Sequence, residues 1–406
     1  MPGLQSVPLA KITAGFCILG LIASAGSIST ARKQLPVESR YLLAIIALMV
    51  FSGIFSPVWK GGALSKTLDF SKCYVAWVIT YLIISTFQRL RKILFIQTAS
   101  VALISIVSMI KGRDVPRLNG VLGGMYSNPN DLAFAIVLAL PFCLAFIVSA
   151  RGGLRKLVWI VAGLAMGAAL FLTASRAGFV DLVISGTVCL WHFGIKGKRP
   201  LLLISVGLVA VILLATVGGT LKDRLEATQD ESNSAEGLGA RGSYEERVQL
   251  MKDALDAIKK YPILGVGAND FISYGGTTNG QWHEVHMTYL QVAVEGGIPM
   301  LIIYLMFFAR GFKNMKILLK APNLSPEMTL FIGALHSSLI GFVVGALFAP
   351  EAYQYFPYFA VAYTCVLLKI VQPDQPVTVK QFDTMHHRQL EAYAEYSKPD
   401  AVAPVR

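Results

Sequence analysis

The sequence predicts an all-α protein, a polytopic integral membrane helical bundle of about 11 to 12 transmembrane helices with one large extracytoplasmic loop containing a helix. Of its 406 residues, 54% are hydrophobic and only 15% are charged. Soluble globular proteins carry about 25% charged residues, so this composition excludes an ordinary soluble domain. Apolar runs of about twenty residues, the length that crosses some 30 Å of hydrocarbon, recur along the chain.

These apolar runs supply eleven candidate spans. The first follows Lys11 without a convincing cleavage site, so we interpret it as a retained span rather than a signal peptide. The spans lie near 10–29, 41–57, 68–87, 92–110, 131–150, 157–174, 177–195, 200–219, 287–309, 326–349 and 353–371.

Lysine and arginine are concentrated in alternate short loops, which the positive-inside rule assigns to the cytoplasm. We therefore attribute the net charge of +12 to topology and expect no binding to nucleic acid. One membrane domain is predicted over 1–372, including an extracytoplasmic loop over 221–285, with a polar cytoplasmic tail over 373–406. The basic loops contain Arg32, Lys33 and Arg40; Arg89, Arg91 and Lys92; Arg151, Arg155 and Lys156; Lys196, Lys198 and Arg199; and Arg310, Lys313, Lys316 and Lys320.

The loop over 221–285 is the one large hydrophilic connection. Its residues 229–239 have too few apolar side chains to bury the segment, and we expect them to be mobile. The capping-box pattern Ser243-Tyr244-Glu245-Glu246 predicts the start of a helix that ends at Tyr261-Pro262. Gly265-Val266-Gly267-Ala268-Asn269 predicts a tight turn; a phosphate-binding loop is the weaker alternative, because no strand precedes it and no lysine follows. The apolar face of the predicted helix consists of Val248, Met251, Leu255 and Ile258.

His286 lies where this loop enters the next span. Histidine titrates near neutrality, so at such a boundary it can accept or give a proton. The alternative is an interfacial residue that caps the helix. His283 could join His286 on one helical face as a metal ligand pair, but no third ligand stands at a recognisable spacing, so we expect neither a metal nor another cofactor.

Two arginines on the predicted external side occupy positions that are unusual for a positive charge. Arg176 is a positive charge in a very short external loop, against the positive-inside bias; snorkelling to lipid headgroups is the alternative. Arg247 is predicted early in a helix, where the macrodipole disfavours a cation, and an anionic partner would explain it. Arg241 precedes it in the same loop.

Two further polar features complete the sequence pattern. Asn128 and Asn130 stand at the mouth of the fifth span, where they would at least cap the helix. Glu295 lies nine residues after His286, about half a turn out of phase, so it cannot orient the imidazole and we expect it to be structural. The five cysteines all fall in apolar spans and behave as small apolar residues; they are Cys17, Cys73, Cys143, Cys189 and Cys365.

The order and spacing of these features resemble the superfamily of O-antigen ligases and O-antigen polymerases, bacterial membrane glycosyltransferases. The resemblance covers roughly residues 120–310. The sequence departs from the usual pattern of the family at Met287, where a small polar residue is common, and at Met300, where a glycine is common. It is carried by Asn128-Pro129-Asn130, Ser175-Arg176-Ala177-Gly178, Arg247, Pro262-Ile263-Leu264-Gly265-Val266-Gly267, and the segment from His286 to Gly297.

The resemblance implies an activity and its residues. An external histidine, here His286, would act on the acceptor, while arginines, here Arg176 and either Arg247 or Arg241, would hold the pyrophosphate of an undecaprenyl-linked oligosaccharide. Asn128 and Asn130 would take part in substrate binding. The implied acceptor is a glycan or lipid A-core, and the implied location is the bacterial inner membrane, among membrane lipids, with the site facing the periplasm or exterior. A non-enzymatic transporter or flippase of lipid-linked sugars is the main alternative, and a membrane scaffold is a third.

Overall fold

A computed structural model describes residues 35–112, 117–120, 128–219, 235–280 and 282–372, with backbone only over 235–244 and at 279. Every regular element within these ranges is helical, which confirms the predicted all-α class. The helices are α1 (Val37–Ile54), α2 (Lys60–Ile83), α3 (Phe87–Lys111), α4 (Pro129–Ser149), α5 (Gly153–Leu172), α6 (Arg176–Leu190, continued by a π-helical turn Trp191–Ile195), α7 (Pro200–Val217), α8 (Ala235–Lys260), α9 (Phe271–Asn279), α10 (Thr288–Leu318), α11 (Pro326–Gly345) and α12 (Tyr355–Val371).

The helices agree with the predicted spans. Each predicted apolar run from 41–57 onward coincides with one helix, whereas the run 10–29 and the tail 373–406 lie outside the described residues. Eight helices are long and apolar enough to cross a membrane, namely α1, α3, α4, α5, α6 with its π turn, α7, α10 and α11. Two further helices coincide with predicted spans: α12, which is apolar but only 17 residues long, and α2, whose first half carries Lys60, Lys66 and Asp69.

The two ends of the bundle differ in what they hold. We call the end at which α4, α6, α10 and α12 begin the His286 end. Near the opposite end a buried ion pair joins α1 to α10: Arg310 Nε donates to Glu38 Oε1 over 3.1 Å, and Asn314 Nδ2 donates to the same oxygen over 3.1 Å. Ionisable groups inside a membrane bundle are stabilised by pairing of this kind, so this contact ties α1 to α10.

Helix α10 is broken near its start, and the segment 261–270 fills the break. Gly297 has φ of 80° and ψ of 171°, so the helical hydrogen-bond pattern is interrupted there. The backbone N–H groups of Val266 and Gly267 donate to Val294 O (2.9 Å) and Glu295 O (3.1 Å), and Ile298 N–H donates to Pro262 O (2.8 Å). The groups freed by the break therefore find partners in the docked segment, as a buried backbone requires.

Glu295 strengthens this junction between α10 and the segment 261–270. Its carboxylate is 2% exposed and accepts hydrogen bonds from Asn269 N–H (2.8 Å) and from the Tyr353 hydroxyl. Gly265 to Asn269 form a turn with positive φ at Gly265, Gly267 and Asn269, and its N–H groups at Val266 and Gly267 are used by α10. The predicted tight turn is confirmed, and Glu295 has the structural position expected for it.

Helix α8 differs from its prediction in two ways. It begins at Ala235 rather than near Ser243, because no proline intervenes and serine inside a helix costs only a fraction of a kcal/mol. Residues 235–239, predicted to be mobile, are therefore helical, and the rest of that stretch lies outside the described residues. Arg247 consequently stands in the interior of the helix, so the argument from the macrodipole at a helix start was wrong.

The buried face of α8 is also rotated from the predicted one. Leu250, Ala254 and Ala257 are buried, while Met251 and Leu255 are 43% and 48% exposed. Leu250 and the two alanines pack in one cluster with Val266 of the docked segment and Phe271 at the start of α9. Small alanine side chains allow the helix to approach that segment closely, which decides the face that is buried.

We predict that Gly297→Ala destabilises the protein. A Cβ there would lie 2.2 Å from Ile263 O, and the positive φ alone costs an alanine roughly 1–3 kcal/mol. Gly186→Ala on α6 is the matched control, since its Cβ meets nothing within 4 Å. Thermal unfolding in nanodiscs should show a clearly lower midpoint for Gly297→Ala than for the control; equal midpoints would contradict the role given to the break.

Candidate functional site

The starts of α4 and α6 are joined at the His286 end. Asn130 Oδ1 accepts hydrogen bonds from Ser175 Oγ (2.9 Å) and from Arg117 Nη2 (3.0 Å). Ser175 Oγ also caps α6 by accepting from Gly178 N–H over 3.1 Å. Two motifs that are 45 residues apart in sequence thus form one unit, and it places Arg176 as the first residue of α6.

The asparagines have structural partners. Asn128 caps α4, accepting a hydrogen bond at Oδ1 from Asn130 N–H over 2.9 Å, while Asn130 bridges Arg117 and Ser175. The helix-cap interpretation is therefore confirmed for Asn128, and a contribution of either residue to substrate binding stays a prediction. Arg117 also donates from Nε to Thr173 O over 3.0 Å, which holds its guanidinium beside this unit.

His286 is held between two anchored residues. Val285 before it is buried with Leu250 of α8, and Thr288 after it donates from N to Ala346 O (2.8 Å) and from Oγ1 to Ala349 O (2.6 Å). Helix α10 begins at Thr288 with Met287 in the capping position, and no side chain caps it. His286 is therefore not a helix cap, and its imidazole is half-buried in the loop.

Arg247 lies near both Arg176 and His286, although the three residues belong to separate segments. Burial lowers the pKa of Arg247, and the nearby Arg176 lowers it further, while Glu246 opposes the change. Burial likewise lowers the pKa of His286; Arg247 lowers it, Glu246 raises it, and His283 lowers it again. All three side chains are half-buried, so the interactions among them are less screened than those on an open surface.

This arrangement is suited to an anionic ligand. Two guanidinium groups held near one another repel, and an anion between them would relieve the repulsion. Arginine presents a planar fork of donors that binds phosphate through two hydrogen bonds. The imidazole beside them has its pKa lowered below the ordinary value of 6.5, so it is neutral at pH 7 and able to accept a proton.

The contact between Glu246 and His283 was not expected from the sequence. Glu246 Oε1 lies 3.2 Å from His283 Nε2, which ties α8 to the loop that carries His286. The two residues are 37 positions apart in the sequence, and nothing in the local pattern shows that they meet, because the contact depends on how α8 docks. Arg241 also lies on α8, but its side chain is outside the described part of the structure. Whether Arg241 or Arg247 is the second pyrophosphate-binding arginine therefore stays open.

Among the described residues, no group of three or more histidine, cysteine, aspartate or glutamate side chains is placed to hold a metal ion. His283 is paired with Glu246 instead. Cys73, Cys143, Cys189 and Cys365 are buried free thiols inside the bundle, as expected of small apolar residues; Cys17 lies outside the described residues.

We predict that the neighbours of His286 tune its pKa in opposite directions. Arg247→Ala removes a nearby positive charge and should raise the pKa of His286; Glu246→Gln removes a negative charge and should lower it. Lys252→Ala, an exposed change on the same helix, is the control. NMR titration of labelled histidine, with the His286 signal assigned by loss in His286→Gln, measures each shift. Shifts of the same sign in both variants would contradict the geometry.

Comparison with known proteins bears on the whole site. Residues 161–305, which include Arg176, Arg247 and His286, match the family model described as O-antigen ligase. No curated protein matches the chain. A solved structure titled "Structural coordination of polymerization and crosslinking by a peptidoglycan synthase complex" is 16% identical, with 83% of this chain and 97% of that chain covered and a TM-score of 0.43. The family match over residues 161–305 confirms the resemblance found in the sequence.

Proposed function

We propose that this protein transfers a glycan from undecaprenyl-pyrophosphate to an acceptor hydroxyl at the extracytoplasmic face of the bacterial inner membrane. One observation carries the proposal: Arg247 lies near both Arg176 and a neutral His286, which belong to separate segments at one end of a membrane helical bundle. The O-antigen ligase match over the same residues supports the reaction class. The basic loops at the opposite end support the orientation, since such loops remain in the cytoplasm.

In the proposed reaction His286 is the general base. The acceptor hydroxyl gives its proton to the imidazole as its oxygen forms a bond to the anomeric carbon of the donor sugar. The bond between that carbon and the phosphate oxygen breaks, and its electron pair leaves with undecaprenyl pyrophosphate. Burial and Arg247 keep the pKa of His286 low, so the base is unprotonated before the reaction begins.

Arg176 and Arg247 are proposed to bind the pyrophosphate and stabilise its growing charge. Negative charge develops on the leaving oxygen in the transition state, and preorganised donors there lower the barrier. Arginine suits this role better than lysine because its fork matches two phosphate oxygens at once. The donor is already activated by its pyrophosphate, so we expect no nucleotide sugar, ATP or metal ion to be required, which a chelator tests directly.

A transporter of lipid-linked sugars would also bind pyrophosphate through arginines, but it has no use for a neutral imidazole beside them. The two functions differ in whether a new glycoside is formed. Purified protein incubated with undecaprenyl-pyrophosphate oligosaccharide and candidate acceptors, whether lipid A-core, a growing polysaccharide or a protein, forms a glycoside if the proposal is right. Absence of product with every acceptor would favour the transporter.

We predict that His286→Ala lowers the single-turnover rate by roughly 10²–10⁴-fold, the usual contribution of a positioned acid-base group, while donor affinity is retained. Arg176→Lys should weaken donor binding and the rate together, since a point charge does not replace the fork. Donor affinity and single-turnover rate are measured on the same folded preparations, with Lys252→Ala as control.

Two outcomes contradict this assignment. A wild-type rate in His286→Ala would transfer the role of base to His283, which is paired with Glu246 nearby. Normal donor binding in both Arg176→Lys and Arg247→Ala would move the pyrophosphate site to other arginines, such as Arg241 or Arg117, which shares Asn130 Oδ1 with Ser175.

A further inference from the structure

A groove of about 470 Å³ opens between α3, α4 and α12. Its walls are mainly apolar, with Ile96 and Ile104 from α3, Phe134 and Leu138 from α4, and Phe356 and Phe359 from the start of α12. Along α3 it extends from Ile93 to Ile104, which at 1.5 Å per residue is about 17 Å. These helices are predicted spans, so the groove lies at hydrocarbon depth and is suited to a lipid chain.

The groove ends in carboxyl groups at the His286 end. Asp131 at the start of α4 and Glu351 just before α12 both line it. Glu351 is only 3% exposed, and its Oε1 has no hydrogen-bond partner among the described residues. A buried polar atom left without a partner costs about 1–3 kcal/mol or more, so Glu351 is arranged for a partner that the described residues do not supply.

Glu351 is fixed to the segment that carries His286. Its backbone N–H donates to Thr288 Oγ1 over 2.9 Å, and Thr288 is two residues after His286. Ala352 N–H donates to Gln291 Oε1 over 3.2 Å, which holds the next residue to the same helix. The carboxyl end of the groove and the proposed base are therefore joined through the first turn of α10.

The charges at this end are opposite to those around Arg176. Burial raises the pKa of Glu351 well above its ordinary value, and the nearby Asp131 and Glu284 raise it further. Lys66 of α2 faces Glu284 and lowers the pKa of that carboxyl, against the larger effect of burial. Three carboxyl groups that already disfavour one another's ionisation would disfavour a phosphate, whereas they readily bond to hydroxyls, which both donate and accept.

We infer that this groove and its carboxyl end bind the acceptor, as a membrane amphiphile that presents hydroxyl groups rather than phosphate to Glu351 and Asp131. The inference rests on the proposed function, in which the pyrophosphate of the donor occupies the arginines. The two substrates would then reach His286 from separate binding places: the charged donor from Arg176 and Arg247, the hydroxylated acceptor from the groove. That separation prevents either substrate from blocking the site of the other.

Photolabelling tests the inference without requiring turnover. The protein in nanodiscs is exposed to a dodecyl glucoside with a diazirine in its chain, and separately to dodecyl phosphate with the same group; the labelled peptides are identified by mass spectrometry. The glucoside should label α3 and α12 and the phosphate should not. Ala135→Trp, which fills the groove, should abolish the labelling, while Leu208→Trp on the exposed face of α7 should not.

The role of Glu351 is tested on the same readout. Glu351→Ala should weaken glucoside labelling about tenfold, as loss of a strong hydrogen bond does, and Glu351→Gln should restore much of it. Equal or stronger labelling by the dodecyl phosphate would overturn the inference and indicate that the groove binds a phosphorylated lipid chain. Absence of labelling by both probes would overturn it as well. A wild-type transfer rate in His286→Ala would refute the proposed mechanism but leave this binding result unchanged, so the two failures are distinguishable.

Discussion

The site depends on how the segment 261–270 docks into the break in α10. Three backbone hydrogen bonds across this junction satisfy the groups that Gly297 frees, and Glu295 adds its carboxylate to Asn269 and Tyr353. The segment follows directly from α8, so the junction sets where Arg247 lies. It also packs against Val285, so the same junction sets where His286 lies. A connection of this length would otherwise have no fixed position over the bundle.

The charge distribution at the His286 end follows from that docking. Arg176 and Arg247 lie near one another, and the carboxyl groups of Asp131 and Glu284 lie near Glu351. Glycosyl transfer requires an anionic leaving group and a neutral hydroxyl nucleophile to meet at one carbon. A cationic cluster proposed for the pyrophosphate and a carboxyl cluster proposed for the hydroxyls match that requirement.

The sequence predicted the features that depend on local physical chemistry. Hydropathy found the spans, because crossing hydrocarbon requires about twenty apolar residues whatever their partners. Arg176 and His286 were identified from the sequence because a polar residue at the boundary of a membrane span is expected to have a structural or functional role. The face of α8 was predicted incorrectly, since Met251 and Leu255 are more apolar than Ala254 and Ala257, yet close packing against Val266 selected the alanines.

Glu351 was not found from the sequence for a similar reason. In Pro350-Glu351-Ala352 it resembles an ordinary loop glutamate, and only the fold shows it buried, with one oxygen unpartnered and its backbone bonded to Thr288. The break at Gly297 was equally hidden, because a glycine pair before a proline inside an apolar run fits a continuous kinked helix as well as a broken one. The sequence pattern around a residue does not show which distant segments will contact it.

The most direct test of the account is a cryo-electron microscopy structure of the protein with undecaprenyl pyrophosphate bound. We predict that the two phosphates lie between Arg176 and Arg247 within hydrogen-bond distance, with the His286 imidazole facing the phosphate oxygen that would carry the sugar. Phosphates bound in the groove between α3 and α12, or held only by arginines outside this pair, would contradict it.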